Sequence, residues 1–247
     1  MKQKINETTK EPRICVVLTA FNDKESIFHA VEEFVSQKYV KKVIVIDNNS
    51  VDSTSKIAGQ TGAKVIKEKK QGYGFAIIRG LKESIKEDVD IVVLAEGDMT
   101  FRGRDILKMI PYLEDVDMVI GSRTHRVIVD DDTQMDWFYT WGNVLLAKLL
   151  ELKFFSMRFL SRVRFTDVGC TFRAIKIESL LKIIDKLEVG GHHFSPHMTI
   201  IGLKNGLKVI EIPVTFRKRV GVSKGAGGNK VLAIKVGFRM VWEILTK

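Results

Sequence analysis

The segment Val92–Phe101, VVLAEGDMTF, runs from an apolar stretch directly into two carboxylates, Glu96 and Asp98, with one glycine between them. A strand sends alternate side chains to the same face, so a strand continued through Gly97 would aim both acids together. Gly97 leaves room for a ligand to approach the backbone. Two hard oxygen donors at the carboxyl end of a strand suit Mg²⁺ or Mn²⁺ holding a diphosphate. Acids also collect in ordinary solvated turns, so the weight of this pair rests on the segments around it.

Short apolar runs alternate with helical patterns through the first half of the chain. Ile14–Thr19, Val43–Ile46, Ala63–Ile66, Ile91–Ala95 and Met118–Ile120 read as buried strands. Lys24–Ser36, with Ile27, Val31, Phe34 and Val35 on one stripe, and Gly74–Ile85 read as helices, and Asp52 or Ser53 can cap another between them. This alternation predicts an α/β fold: a single domain with a mostly parallel, Rossmann-like sheet and helices on both faces. Right-handed crossovers would set the carboxyl ends of the strands along one edge, where open α/β sheets bind ligands. That edge would gather Phe21-Asn22-Asp23, Asp47-Asn48, Glu96 to Thr100 and Gly121-Ser122-Arg123, the makings of a nucleotide site.

The second half is less regular. Arg126–Asp136 reads as a mobile loop carrying the acidic run Asp130-Asp131-Asp132, Trp137–Phe155 as a long helix, and Phe194–Leu203 as another. Leu207–Phe216 reads as a strand that Pro213 places near a sheet edge, and Gly221–Gly228 as a flexible, glycine-rich loop. Residues 1–12 form a loose tail, 13–229 the domain, and 230–247 an amphipathic C-terminal helix. That helix puts Val231, Ile234, Phe238, Val241, Trp242 and Leu245 on one face and Lys235, Arg239 and Glu243 opposite. Such a face suits an anionic bilayer, the protein's own core or a second subunit equally well.

The chain has 40 Lys and Arg against 30 Asp and Glu, a net charge of +10, which favours anionic partners such as nucleotides or phospholipid surfaces. The charge is scattered and forms no concentrated stripe or recognisable motif, which argues against nucleic acid. Cys15 and Cys170 stand far apart and read as reduced, packed thiols of a cytosolic protein. No run approaches the roughly 20 apolar residues of a spanning helix, so adhesion to a membrane surface is the membrane contact expected. His192, His193 and His197 invite a metal reading, with His193 and His197 four apart, but no closed zinc set stands beside them in the sequence.

Seven segments, in order, carry a resemblance to glycosyltransferase family 2. VVLTAFND (Val16–Asp23) resembles the family's opening strand with its aromatic-Asn-acid triplet, and VIVIDNNSVDST (Val43–Thr54) its second strand and Asp-rich turn. KKQGYGFAIIRG (Lys69–Gly80) resembles the Gly-x-Gly segment over the nucleotide, EGDMTF the Asp-x-Asp metal motif, and GSR (Gly121–Arg123) the end of the next strand. TDVGCTFRA (Thr166–Ala174) and EIPVTFRKRVGVSK (Glu211–Lys224) are similar to later segments of the polyprenyl-phosphate (dolichyl-phosphate) sugar synthase branch.

The resemblance implies a GT-A fold and an inverting, metal-dependent transfer from a UDP- or GDP-linked sugar to a lipid phosphate at the cytoplasmic face of a membrane. It implies that Thr19, Phe21, Asp23, Asp47, Gly72 and Gly74 line the nucleotide, with Phe21 on the base and Asp47 on a base N–H or ribose hydroxyl. Asp98 is the expected metal ligand, with Glu96 on the same Mg²⁺ or Mn²⁺ or on the ribose, and Thr100 an added oxygen donor nearby. Asp167 is implied as the base for a hydroxyl acceptor, or as an organiser of arginines if the acceptor is already an anionic phosphate. Arg123, Arg173, Arg217, Arg219 and Lys224 are candidates to hold phosphates, through the bidentate fork in the case of Arg. The chain departs from the family pattern at Glu96, where Asp is usual, at Thr19 for proline, at Asp23 for glutamate, and at His197 where an acid is common. Two other readings stand beside it: transfer to a glycan or small-molecule hydroxyl, and a nucleotide-sugar-binding protein without turnover.

Overall fold

The computed structural model describes residues 11–155, 163–222 and 229–247. Among them seven strands share one sheet: β1 (Ile14–Ala20), β2 (Val40–Asp47), β3 (Lys64–Lys67), β4 (Ile91–Glu96), β5 (Met118–Ser122), β6 (Arg173–Lys176) and β7 (Val209–Pro213). The α-helices are α1 (Ile27–Val35), α2 (Thr54–Gln60), α3 (Tyr73–Ser84), α4 (Ile106–Met109), α5 (Trp137–Lys153), α6 (Ile177–Leu181), α7 (Phe194–Lys204) and α8 (Lys230–Thr246). The strand order is β3-β2-β1-β4-β6-β5-β7, the single α/β domain expected. Every residue of β1 is buried, as the apolar run ICVVLT requires of a strand covered on both faces. Pro213 lies at the end of β7, an edge strand, where its missing N–H costs no ladder bond.

One strand breaks the parallel pattern, and the site depends on it. β6 runs antiparallel to both β4 and β5, pairing Arg173 with Leu94 and with Ile120. Its amino end therefore lies beside the carboxyl ends of its neighbours, and the chain just before it, Thr166 to Phe172, arrives at the ligand-binding rim. Neither β6 nor α6 is announced by the sequence pattern. The run RAIK is four residues long with a cation at each end, too short and too polar for a periodic signal.

α1 buries Ile27, Ala30, Val31 and Phe34, whereas Val35, expected on the same stripe, is exposed. The segment expected to be a mobile loop is packed: Val129 and Met135 are buried, and Asp130 N donates to Phe216 O at 2.9 Å. Asp136 and Asn229 cap α5 and α8, accepting from Tyr139 N at 3.1 Å and Leu232 N at 3.0 Å.

α8 lies against the core, but not by the face expected. It buries Val236, Met240, Glu243 and Ile244 and leaves Val231, Ile234, Phe238, Trp242 and Leu245 exposed. Glu243, assigned to the polar face by periodicity, is buried because His197 of α7 meets it. His197 Nε2 accepts from Glu188 N at 3.3 Å, so its Nδ1–H donates to Glu243 Oε1 at 2.6 Å. Among the described residues no helix is long and apolar enough to cross a membrane.

α3 crosses β1 and β2 at Gly80, where an added Cβ would stand 2.2 Å from Val17 Cγ1 and 3.1 Å from Ile46 Cγ1. Helix propensity alone favours alanine at an interior position by about 1 kcal/mol. Overpacking reverses the sign, and Gly80→Ala is expected to destabilise the protein by about 1–3 kcal/mol in a denaturant titration. A variant as stable as the parent would show that the helix can lift from the sheet without cost.

Candidate active site

The register of the sheet brings the opening motif residues level with one another. Thr19 pairs with Glu96 and Ala20 with Asp47, so the ends of β1, β2 and β4 form one rim. β4 stops at Glu96, and Gly97 N donates to Thr19 O at 2.9 Å. A Cβ at Gly97 would lie 2.7 Å from Ile27 Cδ1, so a side chain here would have to displace the tip of Ile27 in α1. The chain then turns through Met99, whose φ is +68°. Glu96 and Asp98 converge through this turn and not through the alternation of a continued strand.

Both acids meet Arg219. Its Nη2 lies 3.0 Å from Glu96 Oε2 and 2.5 Å from Asp98 Oδ2. Asp98 is 1% exposed. Its Oδ1 accepts from Thr100 N at 3.0 Å and from Thr100 Oγ1 at 2.6 Å, which leaves Thr100 as a support for the carboxylate. Oδ2 accepts no hydrogen bond and is balanced only by the charge of Arg219. Burial, reinforced by the charge of Glu96, pushes Asp98 up to about 7. Burial acts on Glu96 in the same direction, but Arg219 and the hydroxyl of Thr171 outweigh it and hold Glu96 below the usual range.

A buried carboxylate oxygen with no hydrogen-bond donor suits a hard cation. Among the described residues no three His, Cys, Asp or Glu side chains gather as a metal cage. Two carboxylates with substrate phosphates completing the shell is how Mg²⁺ is usually held. The residues fit such an ion.

Two rim residues, Thr171 and Tyr73, were not singled out by sequence. Thr171 Oγ1 donates to Glu96 Oε1 at 2.8 Å, and the Tyr73 hydroxyl bonds to Thr171. The ring of Tyr73 stacks on His192 with centroids 5.6 Å apart. Asn48 Oδ1 accepts from Gly72 N at 2.8 Å while its amide donates to Lys70 O at 2.9 Å, holding the Gly-x-Gly segment against β2. Only the "Asp47-Asn48" cluster hinted at this role, because the partners lie more than twenty residues away.

The expected nucleotide residues divide by position. Thr19, Phe21, Asn48, Gly72, Tyr73, Glu96 and Asp98 line one cavity. Asp47 is occupied with Ser50 N and Ser55 Oγ, and Asp23 with Phe21 N at 2.9 Å. Both shape their turns, and neither lines that cavity. Gly72 and Gly74 are pressed against residues 189–190. A Cβ on Gly72 would come 2.5 Å from Gly190 O, and one on Gly74 2.0 Å from Val189 O.

Asp167 is fully buried and forked by Arg123, which gives Nε to Oδ2 at 2.7 Å, Nη2 to Oδ1 at 2.8 Å and its backbone N to Oδ2 at 3.0 Å. Burial lowers the proton affinity of Arg123, and the Asp167 charge more than reverses that. The guanidinium also lies 5.3 Å from the centroid of Phe216. Glu211 of β7 fastens the loop behind, accepting from Thr166 N and Asp167 N at 2.9 Å.

Arg173 is turned inward to Cys170 O, Val168 O and Thr199 Oγ1. Burial lowers it to about 10, and it braces the loop rather than meeting ligand. Arg217 donates to Glu33 Oε2 at 2.7 Å and Phe101 O at 2.9 Å, outside the cavity lining. Lys224 lies outside the described residues, as do Met1–Lys10 and most of the glycine-rich loop. Burial raises the thiol of Cys170 to about 12, so it is no nucleophile at neutral pH.

One cavity, about 710 Å³, joins these groups. Its lining combines Thr19, Asn48, Glu96, Asp98, Arg123 and Arg219 with residues of α5 and α8. Charged groups of the rim and apolar side chains of the two helices thus line the same cavity.

The sequence matches the model of glycosyl transferase family 2 over residues 15–184. The chain is 25% identical over 227 residues to a polyprenol monophosphomannose synthase of Mycolicibacterium smegmatis, covering 88% of this chain and 82% of that protein. It is 24% identical over 229 residues to an undecaprenyl-phosphate mannosyltransferase of Micrococcus luteus, covering 87% and 88%. Among solved structures, its fold is shared by glucosyl-3-phosphoglycerate synthase of Mycobacterium tuberculosis, crystallised with Mn²⁺, UDP and phosphoglyceric acid. That match has a TM-score of 0.66 at 18% identity and covers 94% of this chain and 78% of that one. With well over half of its residues inside the family model, this chain belongs to glycosyl transferase family 2 and is a glycosyltransferase.

Proposed function

We propose that the protein is an inverting, metal-dependent transferase that moves a sugar from a UDP- or GDP-linked donor to a polyprenyl phosphate. The observation that carries the acceptor is the Arg123–Asp167 fork in a cavity lined by both charged and apolar side chains. Both oxygens of Asp167 are occupied by Arg123, so Asp167 serves as an organiser of a cation and not as a proton acceptor. A phosphate acceptor needs no base. The names of the two mannosyl-transferring relatives point the same way.

In this reading the donor's nucleotide lies along Phe21, Asn48 and Gly72, with its diphosphate toward Glu96 and Asp98. Asp98 Oδ2, with Glu96 beside it, would hold Mg²⁺ or Mn²⁺, which supplies Lewis-acid neutralisation of the leaving diphosphate. Arg123, aimed by Asp167 and Phe216, offers its remaining N–H to a phosphate. An acceptor phosphate oxygen attacks the anomeric carbon as the bond to the diphosphate oxygen breaks, with charge developing on the leaving group. Arg219 holds the acids in place until substrate arrives, and its release frees a second cation for phosphate. The exposed Trp137, Trp141, Phe238 and Trp242 of α5 and α8 support contact with the membrane surface in which such an acceptor resides.

Incubation with UDP- and GDP-sugars, Mn²⁺ and polyprenyl phosphate tests the reading, and labelled lipid-linked sugar is the expected product. Asp98→Ala should lower transfer by about 10³-fold or more, the equivalent of several kcal/mol of Lewis-acid stabilisation, without loss of fold by circular dichroism. Full activity would reject the metal role.

Asp167→Asn keeps the shape but not the charge, and kcat/KM should fall roughly tenfold with no change in the pH profile. A general base would instead cost about 10²–10⁴-fold and remove a titration from the profile.

Arg219→Ala removes the resident cation from the acid pair. Mn²⁺ binding, read by electron paramagnetic resonance without substrate, should tighten roughly tenfold while transfer slows. Unchanged or weaker Mn²⁺ binding would show that Arg219 does not compete with metal.

A further inference from the structure

The Gly-x-Gly segment is held from two sides. On one it hangs from Asn48 of β2. On the other it rests on residues 189–192: Gly74 N donates to Gly190 O at 2.9 Å, and Tyr73 stacks on His192. The fit is reciprocal, since a Cβ on Gly190 would lie 2.1 Å from Phe75 Cε2. Glycines stand on both sides of this contact, Gly72 and Gly74 facing Gly190, and glycine backbone has little stiffness of its own. Its position therefore follows whatever fixes residues 188–192 from behind.

That support comes from the end of the chain. Glu188 N donates to His197 Nε2 at 3.3 Å, and His197 Nδ1–H donates to Glu243 Oε1 of α8 at 2.6 Å. The side chain of Glu188 meets Lys247 at 2.5 Å, so both groups of Glu188 are tied toward α8. His197 is fully buried and Glu243 nearly so, which makes either partner costly to leave unpaired. Neither residue lines the cavity.

Resting on the placement of the donor nucleotide along Gly72, we infer that His197 and Glu243 are positioning residues for the donor. They hold residues 188–192 at the height at which the Gly-x-Gly segment closes on the nucleotide. The C-terminal helix thereby serves the donor half of the site, through a buried histidine and without touching substrate.

The experiment measures binding of UDP and GDP with Mn²⁺ by isothermal titration calorimetry on the full chain, with donor KM and kcat from the transfer assay. Glu243→Ala removes the acceptor for His197. His197→Asn keeps a donor toward Glu243, but its shorter amide falls short of Glu188 N. Both should weaken nucleotide binding roughly tenfold and raise donor KM in step, with kcat within about twofold of the parent's. Glu243→Gln, whose amide oxygen still accepts from His197, should restore parental binding. Lys153→Met is the control. Lys153 holds the same end of α8 through Ile244 O, from α5 and by a route that bypasses His197, so its loss should leave nucleotide binding unchanged. Should Glu243→Ala fail to fold in a thermal melt, His197→Asn against Lys153→Met decides.

Parental nucleotide binding in a folded His197→Asn overturns the proposal. An equal loss in Lys153→Met also overturns it, by assigning the effect to a general loosening of α8. So does a fall in kcat with unchanged donor KM. Asn48→Ala, which frees Gly72 from β2, tests the placement itself. If that variant binds nucleotide as the parent does, or if the wild type binds neither UDP nor GDP, the placement along Gly72 falls together with the inference.

Discussion

Taking a carboxylate out of water costs several kcal/mol unless charge or donors replace the lost solvation. This protein does so at Asp98 and Asp167, at the rim of one sheet, with the half-buried Glu96 beside them. The surrounding structure answers that cost. Arg219 returns from beyond β7 to sit on Glu96 and Asp98, Arg123 forks Asp167, and Thr100 and Thr171 donate to the acids directly. The arrangement is complete only while Arg219 stays. Without that guanidinium the same two carboxylates would be left side by side, largely out of water, with their charge uncompensated.

The second requirement is geometric. A group-transfer site needs its donor and acceptor halves on one edge, and a purely parallel sheet would send the Thr166–Phe172 segment away from the rim. Reversing β6 solves this: the loop before the strand arrives where the other strands end. Arg173 then locks that loop from beneath through two carbonyls and the Thr199 hydroxyl. Its burial reflects support of the loop and not recognition of phosphate.

The helices outside the sheet join the charged chemistry to an apolar environment. α5 and α8 close one side of the cavity, yet each keeps large apolar side chains in solvent. α8 divides its surface: Val236, Met240 and Ile244 face the core, Glu243 is drawn inward by His197, and Phe238 and Trp242 face out. A helix that packs inward on one stripe while exposing aromatic rings on another is suited to an interface, and Phe238 of that outer stripe also lines the cavity.

Much of this was written in local pattern. Apolar runs of strand length, alternating with amphipathic stretches, are sufficient for a parallel α/β sheet, and acids, asparagines and glycines after strands mark its ligand-binding edge without any coordinates. Asp98, Thr19, Phe21 and Gly72 reach the cavity because strand ends are positions that sequence can locate. Tertiary structure alone decided which charged groups face each other. Nothing local shows that Arg219 would settle on Glu96 and Asp98, that Asp167 would be consumed by Arg123, or that Arg217 would turn to Glu33. Each pairing spans tens of residues or more, and electrostatic partners are chosen by distance in space, whereas strands and helices are chosen by neighbours along the chain. For the same reason periodicity placed Glu243 in solvent, and only the packing of α8 on α7 revealed that a buried histidine was waiting for it.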